Sequence, residues 1–501
     1  MAGSDMLNAS TPSAPSAAPV MARSVIHRVA VALSFSLMND DNAAARVIQD
    51  LRALARDSLA GTRLPTVREL TARHQASPVT VARAVRRLVA EGVVDARPGR
   101  GTFVAGPRTA AGRRADLSWQ SIALGPRPPG EDAMQALLAV PRPGAVPLSG
   151  GYLDEDLQPA AALGAALARA ARHPASWQRG PVEGREDLRA WFARTTGGAL
   201  RADDLVVCPG GQSALSTAFR ALLSPGDAVL VEAPTYLGAL AAARAAGLRV
   251  VPVPADAAGV RPDLLAAAFH RTGARLFYCQ PLHANPHGAT LAGDRRAATL
   301  EAVREAGAFL LEDDYARDLT IDGDPPPPLV ADDPDGHVVY LRSLTKSAAP
   351  GLRVAAIGAR GPAGARLRSA RALDDLFVAG PLQQAALDLV TSPAWPRHLR
   401  ALRTALRVRR DALLDALRRR LPELLPEVVP RGGLHVWAGL PDGTDDVAVT
   451  TAAAAEQVVV FPGRPWFAAE PDGAHLRLTF AAAPPDLLDE GVRRLARALG
   501  T

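Results

Sequence analysis

Seven apolar, strand-like runs alternate with helical stretches rich in alanine, leucine and arginine over residues 146–501. The runs are Leu205–Cys208, Ala228–Glu232, Arg249–Pro254, Ala274–Tyr278, Ala308–Leu311, Val338–Leu341 and Arg353–Ile357. This alternation predicts an α/β domain in which helices cover both faces of a central, mostly parallel sheet. Ligands of such sheets bind beyond the carboxyl ends of the strands, so the polar residues after each run are the candidate site residues.

One candidate stands out because of the composition. Of the 57 basic residues, 56 are arginine, and Lys346 is the only lysine in the chain. An arginine side chain cannot lose its proton near neutral pH, whereas a lysine amine can do so and form a Schiff base with a carbonyl group. Lys346 is therefore predicted to react with an aldehyde.

The other strand-end residues are the parts that hold a phosphorylated pyridine aldehyde. We therefore predict pyridoxal 5'-phosphate as the cofactor, with Lys346 forming the imine. We expect Asp313 at the pyridine nitrogen, Asn285 and Tyr315 at the ring oxygen, Tyr236 on the ring face, and Gly211, Gln212, Ser343 and Arg353 at the phosphate.

The front of the chain has a different character. Residues 1–115 hold 16 arginines against 8 acidic residues, a net charge of +8, although the whole chain carries only +6. A helical pattern begins at Ala43, and Thr66 with Glu69 forms a capping box at the start of a second helix. Ser77 with Pro78 opens a third helix, and a short hairpin follows. This order predicts a winged helix-turn-helix over residues 39–105.

This region resembles the GntR-type DNA-binding domain. The resemblance rests on Gly61-x-x-Leu64-Pro65-Thr66-x-Arg68-x-Leu70, on Ser77-x-x-Thr80-Val81, and on Gly99-Arg100-Gly101-Thr102-Phe103-Val104. It implies DNA contacts by Arg68, Ser77, Thr80, Arg83, Gly99, Arg100 and Gly101. The chain departs from the family pattern at Pro78, where the family usually has arginine.

Residues 146–501 resemble a fold-type I, class I aminotransferase. The Asn-Pro-x-Gly motif begins at Asn285, Asp-x-Tyr at Asp313, and Ser-x-x-Lys ends at Lys346. The resemblance implies that Arg477 binds a substrate α-carboxylate. The tyrosine that reaches the partner subunit's phosphate in many relatives is missing, and Trp177 or Arg179 is the candidate replacement.

The whole chain resembles the MocR subfamily of GntR regulators. That resemblance implies a cytoplasmic, head-to-tail homodimer that binds a double-stranded DNA operator and senses an amine, an amino acid or pyridoxal phosphate itself. The alternatives are a class I aminotransferase enzyme with a fused DNA-binding domain, and a regulator whose second domain is only a scaffold.

The remaining segments are predicted from composition. Residues 1–38 are expected to be a disordered or mis-annotated tail, and residues 106–145, rich in proline and arginine, a linker. The two cysteines fit a reducing compartment, and no membrane span is expected.

Overall fold

The apolar residues of the predicted third helix recur at helical spacing, and they form the core of the N-terminal unit. Val81 and Leu88 of this helix are fully buried and cluster with Leu70 of the preceding helix. The helices are α1 (43–56), α2 (Val67–His74) and α3 (Pro78–Ala90), and the antiparallel strands are β1 (Val94–Arg97) and β2 (Gly101–Val104). The unit is the winged helix-turn-helix that the sequence predicts.

Both predicted helix caps of this unit are present. At α2 the Glu69 backbone N–H donates to Thr66 Oγ1 over 3.3 Å, and the Thr66 N–H donates to the Glu69 carboxylate over 2.7 Å. At α3 the Thr80 N–H donates to Ser77 Oγ over 3.1 Å, with Pro78 in the first turn. These side chains satisfy N–H groups that have no partner inside their helices.

The computed structural model describes residues 43–105, 116–124 and 131–500, and the chain divides into two units, Met1–Gly125 and Pro126–Thr501. The predicted tail over residues 1–38 lies outside the described residues. The predicted linker is partly described: it carries α4 (Ser118–Leu124) in the first unit and α5 (Glu131–Leu138) in the second.

Each of the seven predicted strand runs overlaps a strand of one eight-stranded sheet in the second unit. Its strands are β4 (Leu205–Cys208), β5 (Ala228–Ala233), β6 (Arg249–Asp256), β7 (Gly259–Val260), β8 (Leu276–Cys279), β9 (Phe309–Asp313), β10 (Val338–Ser343) and β11 (Ala355–Gly358). Their order is β4-β11-β10-β9-β8-β5-β6-β7. The five strands from β10 to β6 are parallel, whereas β11 and β7 run antiparallel to their neighbours.

Two apolar clusters cover the opposite faces of this sheet, because alternate strand residues point to opposite sides. Leu230 and Phe277 belong to one cluster, and Val229 and Tyr278 belong to the other. The helices are α6 (Ala160–Arg172), α7 (Glu186–Arg194), α8 (Gly211–Leu222), α9 (Leu237–Ala245), α10 (Pro262–Thr272), α11 (Gly293–Glu305), α12 (Gly361–Asp375) and α13 (Gly380–Val390).

The C-terminal part packs around a third cluster. It contains α14 (Ala394–Arg420), α15 (Asp446–Ala455), α16 (Pro485–Leu499) and the antiparallel sheet β12 (His435–Gly439), β15 (His475–Thr479) and β14 (Phe461–Pro462). The strands β3 (Val146–Pro147) and β13 (Val458–Val459) pair in parallel beside it. Within the described ranges, no helix is both long and apolar enough to cross a membrane.

Candidate ligand cavity and nucleic-acid interface

A cavity of about 440 Å³ lies where the strands of the large sheet end. Its lining contains all the residues predicted to hold the cofactor or a carboxylate, namely Gly211, Gln212, Tyr236, Asn285, Asp313, Tyr315, Ser343, Lys346, Arg353 and Arg477. The volume falls in the range of roughly 300–1,000 Å³ that is usual for small-molecule sites. The sheet therefore brings together residues that are up to 266 positions apart in the chain.

Lys346 follows β10, and its amine is buried among other cations. Nζ donates to the Gly151 carbonyl oxygen over 2.8 Å and lies 3.7 Å from the centre of the Tyr152 ring. Burial lowers the pKa of Lys346 to about 7, with Arg477 and Arg353 lowering it further and Asp313 opposing them. The amine is thus neutral and nucleophilic in a large fraction of molecules at neutral pH.

Asp313 ends β9, where two donors hold its carboxylate. The Tyr278 hydroxyl and Gln280 Nε2 both donate to Oδ2 over 2.8 Å, so Oδ1 is left for a ligand. Burial raises the pKa of Asp313 to about 6, although both hydrogen bonds lower it. Gln280 also lines the cavity, although it was not among the predicted site residues. It comes just after a strand run, so the rule that identified the other site residues also applies to it.

Arg353 and the start of α8 form a pocket for an anion. Arg353 Nη2 donates to the Pro209 carbonyl oxygen over 2.9 Å, and a Cβ built on Gly210 would clash with the same nitrogen. Only glycine at 210 leaves room for this guanidinium. The first N–H groups of α8, which begins at Gly211, have no intrahelical partner and complete the anion site.

The side chain of Gln212, which was predicted at the phosphate, is hydrogen-bonded to Tyr236 and Gly238. The Tyr236 hydroxyl donates to Gln212 Oε1 over 3.1 Å, and Gln212 Nε2 donates to the Gly238 carbonyl oxygen over 2.8 Å. Gln212 therefore positions the Tyr236 ring. Its backbone N–H, in the first turn of α8, is the group that can donate to an anion.

Arg477 is a buried, positively charged side chain that lines the cavity. It is 2 % exposed, yet it pairs with no carboxylate of the described chain. Nη1 donates to Asn285 Oδ1 over 3.2 Å and to His435 Nε2 over 3.0 Å, Nη2 donates to the Ser149 carbonyl oxygen, and the guanidinium lies 4.4 Å from the Trp466 ring centre.

Two of the five N–H donors of Arg477 have no acceptor among the described residues, and both suit a carboxylate. Nε is buried without a partner among the described residues, and Nη2 has a second hydrogen. Burial lowers the pKa of Arg477 to about 9, which leaves the group charged at neutral pH. A buried charge without an ionic partner is costly, so these donors favour an anionic ligand.

Tyr315 and Asn285 were both predicted at a ring oxygen, and the structure shows them in different hydrogen-bonding states. The Tyr315 hydroxyl donates its proton to the His283 carbonyl oxygen over 2.7 Å. Asn285 accepts from Arg477 through Oδ1, so its Nδ2 faces the cavity as a donor. Asn285 is thus the donor that the structure offers to such an oxygen.

The cavity fits pyridoxal phosphate at each functional group. It offers a neutral lysine amine for the aldehyde, a carboxylate oxygen for the ring nitrogen, an aromatic ring, and an arginine beside a helix N-terminus for the phosphate. The Thr345 hydroxyl, which also lines the cavity, is buried without a partner among the described residues.

The low pKa of Lys346 predicts a particular pH profile. The rate at which the ligand-free chain gains a visible absorption band with pyridoxal phosphate should rise with pH and level off just above about 7, because only the neutral amine reacts. Arg477→Ala removes a neighbouring positive charge, so the midpoint should move to higher pH. Stopped-flow absorbance measures both profiles, and a wild-type midpoint near the ordinary value of 10.5 would contradict the assignment.

The predicted DNA-binding residues of the first unit are mostly exposed. Arg68, Ser77 and Arg83 lie on the surface, as do Gly99 and Arg100 at the tip of the hairpin, and Gly101 is partly exposed. Thr80 differs: it is 3 % exposed, and its Oγ1 lies 2.7 Å from Ser77 Oγ. Thr80 therefore fixes the first turn of α3 and does not offer its side chain to DNA.

Val79 and Arg63 also lie on this exposed surface, although neither was among the predicted DNA-binding residues. Val79 in the first turn of α3 is 74 % exposed, and such an apolar side chain suits contact with a thymine methyl group. Gly101 has a φ of +109°, and a Cβ there would lie 3.2 Å from Arg63 Nε. Arg63 therefore lies against the hairpin and adds a positive charge to it.

Trp177 and Arg179, the candidate replacements for the missing tyrosine, do not line the cavity of their own chain. The Trp177 indole is 69 % exposed and donates to the Ala171 carbonyl oxygen over 2.9 Å. Arg179 is also exposed. Their predicted contact with a partner subunit stays a prediction.

Two protein families match the chain, one for each domain. Residues 148–495 match the family described as "Aminotransferase class I and II", and residues 41–104 match "Bacterial regulatory proteins, gntR family". The uncharacterized HTH-type transcriptional regulator YdfD of Bacillus subtilis is 27% identical over 87% of this chain and 91% of its own. The 2-aminoadipate transaminase of Thermus thermophilus is 33% identical over 72% of this chain and 91% of its own.

The solved structures agree with this assignment. LysN, an alpha-aminoadipate aminotransferase from Thermus thermophilus complexed with N-(5'-phosphopyridoxyl)-L-leucine, superposes with a TM-score of 0.69 at 32% identity. The match covers 77% of this chain and 98% of LysN. The chain belongs to the class I and II aminotransferase family, in the MocR-like form in which a GntR DNA-binding domain precedes a pyridoxal-phosphate-type aminotransferase domain.

Proposed function

We propose that this protein is a transcriptional regulator that holds pyridoxal phosphate at Lys346 and senses an amine that carries a carboxylate. The observation that carries the proposal is the buried Arg477, which keeps two donors and has no carboxylate partner in the described chain. Arg477 and Lys346 line one cavity, so a single amino acid can reach both.

Bound there, pyridoxal phosphate supplies an aldehyde that captures amines and a ring that withdraws electrons. Lys346 would hold the cofactor through its amine, and an amine ligand would compete with Lys346 for the same aldehyde. The Asp313 carboxylate would hold the proton on the ring nitrogen, and Arg353 with the start of α8 would bind the phosphate. A ligand then shifts the DNA-binding equilibrium by its difference in affinity between the two states.

Arg477→Ala tests the sensing role. The variant should keep the visible band of bound pyridoxal phosphate, because Lys346 and the phosphate site are intact. Its affinity for carboxylated amines should fall by roughly tenfold or more, since a charge-assisted hydrogen bond contributes about 1.5–3 kcal/mol. Titration of the band with an amino acid and with its decarboxylated amine measures this. An equal loss for both compounds would show that Arg477 does not bind the carboxylate.

The alternative is an aminotransferase with a fused DNA-binding domain, and the cavity residues serve that chemistry equally well. The two functions differ in turnover, because a sensor needs exchange of the amine and not its conversion. We expect slow or absent transamination with common amino acids and keto acids. Rapid multiple turnovers would favour the enzyme, and a response of operator binding to pyridoxal phosphate alone would make the cofactor itself the effector.

We further propose that the regulator acts as a head-to-tail homodimer on double-stranded DNA. Two copies of the winged unit would match a two-fold or direct-repeat operator, since the spacing of half-sites follows the symmetry of the protein. Analytical ultracentrifugation with and without operator DNA tests the stoichiometry.

A further inference from the structure

Helix α5 belongs to neither family match, yet it contributes to the cavity. It lies between residues 104 and 148, where the two matches end and begin. Met134 and Leu137 pack against an apolar cluster that includes Leu237 and Trp466, and both also line the cavity. Leu138 lines the cavity too but is 56 % exposed, so much of its apolar surface has no cover in this structure.

The charged residues of the cavity all have a use in the proposed function. In the described part of the chain, its cations are Lys346, Arg353 and Arg477, and its one carboxylate is Asp313. His435 is neutral, because its Nε2 accepts from Arg477, which can only donate, and because burial lowers its pKa. Among the described residues no further charge lines the cavity, and Met134, Leu137 and Leu138 of α5 give its lining an apolar part.

The amine and carboxylate sites are close together. A methyl group built on Gly151 would lie 3.9 Å from Lys346 Nζ and 4.0 Å from Arg477 Nη1. The Lys346 amine and the Arg477 guanidinium therefore both approach the same side of Gly151, which places them near enough for the amine and carboxylate of one α-amino acid. Its side chain must then be accommodated by the rest of the lining.

We propose that the effector is an α-amino acid with an uncharged, apolar side chain about the size of leucine, methionine or phenylalanine, held by Leu138 and its neighbours on α5. The proposal rests on the proposed function above. It also assigns α5 a regulatory role, because the helix that contacts the ligand belongs to the segment that joins the two matched regions. Ligands that bury Leu138 gain apolar contact that alanine cannot provide.

The test uses the full chain loaded with pyridoxal phosphate and titrates its visible band with single amino acids. L-leucine, L-methionine and L-phenylalanine should each bind about tenfold or more tightly than L-alanine, L-glutamate or L-lysine, given roughly 0.8 kcal/mol for each buried methylene. The same compounds, at matched concentrations, should change operator binding in the same order of potency.

The variant Leu138→Arg tests whether Leu138 contacts the side chain of the effector. Val140→Arg is its matched control. Val140 is 91 % exposed and does not line the cavity, so Val140→Arg should leave the order of affinities unchanged. Leu138→Arg should weaken leucine binding about tenfold and strengthen glutamate binding, because it adds a cation for the second carboxylate. Because Leu138 is more than half exposed, this substitution is compatible with folding.

The outcomes separate the two proposals. If wild-type protein prefers glutamate or lysine, or if Leu138→Arg behaves like Val140→Arg, the assignment of an apolar effector is wrong while sensing at Lys346 stands. If no amino acid alters the band of the loaded protein, the proposed function is wrong, and the effector assignment falls with it.

Discussion

Lys346→Ala should abolish the visible absorption band that the wild-type protein shows with pyridoxal phosphate. Lys346 is the only lysine of the chain, so no other lysine side chain can take its place. Lys346→Arg should lose the band as well, because it keeps the positive charge but has no amine that can deprotonate. The pair therefore separates the loss of the covalent bond from the loss of a cation.

Borohydride treatment gives the chemical readout for the same prediction. In wild-type protein it should attach the cofactor mass to the peptide that contains Lys346, and mass spectrometry should find no such adduct in either variant. A band of wild-type intensity in Lys346→Ala, or an adduct on another peptide, would show that the covalent site lies elsewhere.

A chain shortened to residues 126–501 should lose operator binding completely. The first unit holds the winged helix-turn-helix, and the excess positive charge lies in residues 1–115. Because α5 and the cavity are retained, the shortened chain should still form the visible band. Gel-shift and fluorescence-anisotropy measurements on the operator test the loss, and full affinity in the shortened chain would place the DNA site in the second unit.

Point variants of the full chain provide a second test of where the DNA-binding site lies. Its operator affinity should fall steeply with salt, and Arg68→Ala combined with Arg100→Ala should reduce the slope by roughly two if both contact phosphates. Arg366→Ala removes an exposed arginine of the second unit and should leave the slope unchanged. An unchanged slope in the double variant would exclude both residues from the phosphate contacts.

The sequence predicts the sheet and the residues at its strand ends well, because both follow local rules. Apolar runs identify the strands, and parallel pairing brings the residues that follow them to one edge. Asp313, Lys346 and Arg353 could therefore be assigned to one site before their distances were known. The capping residues Thr66 and Ser77 are equally local, and both caps are present.

The parts that the sequence did not predict depend on contacts between distant segments. Lys346 donates to Gly151, 195 positions away, and nothing in the pattern around residue 151 indicates that approach. The composition of residues 106–145 predicts a linker, whereas α5 packs within the second unit because its apolar face meets Leu237 and Trp466. Thr80 has the polarity of a DNA contact, but its buried hydrogen bond to Ser77 decides its role.

The end of β10 and its connection to β11 carry Ser343, Lys346 and Arg353, so one short piece of chain holds both the amine and part of the phosphate site. Since β11 lies between the edge strand β4 and β10, these groups keep their places only while this side of the sheet is folded. A compound that binds only the folded chain stabilises it by mass action, by about 2.7 kcal/mol at one hundred times its dissociation constant. A cell that runs short of pyridoxal phosphate would thus hold a regulator that is both unloaded and less stable, and proteolysis would remove it faster.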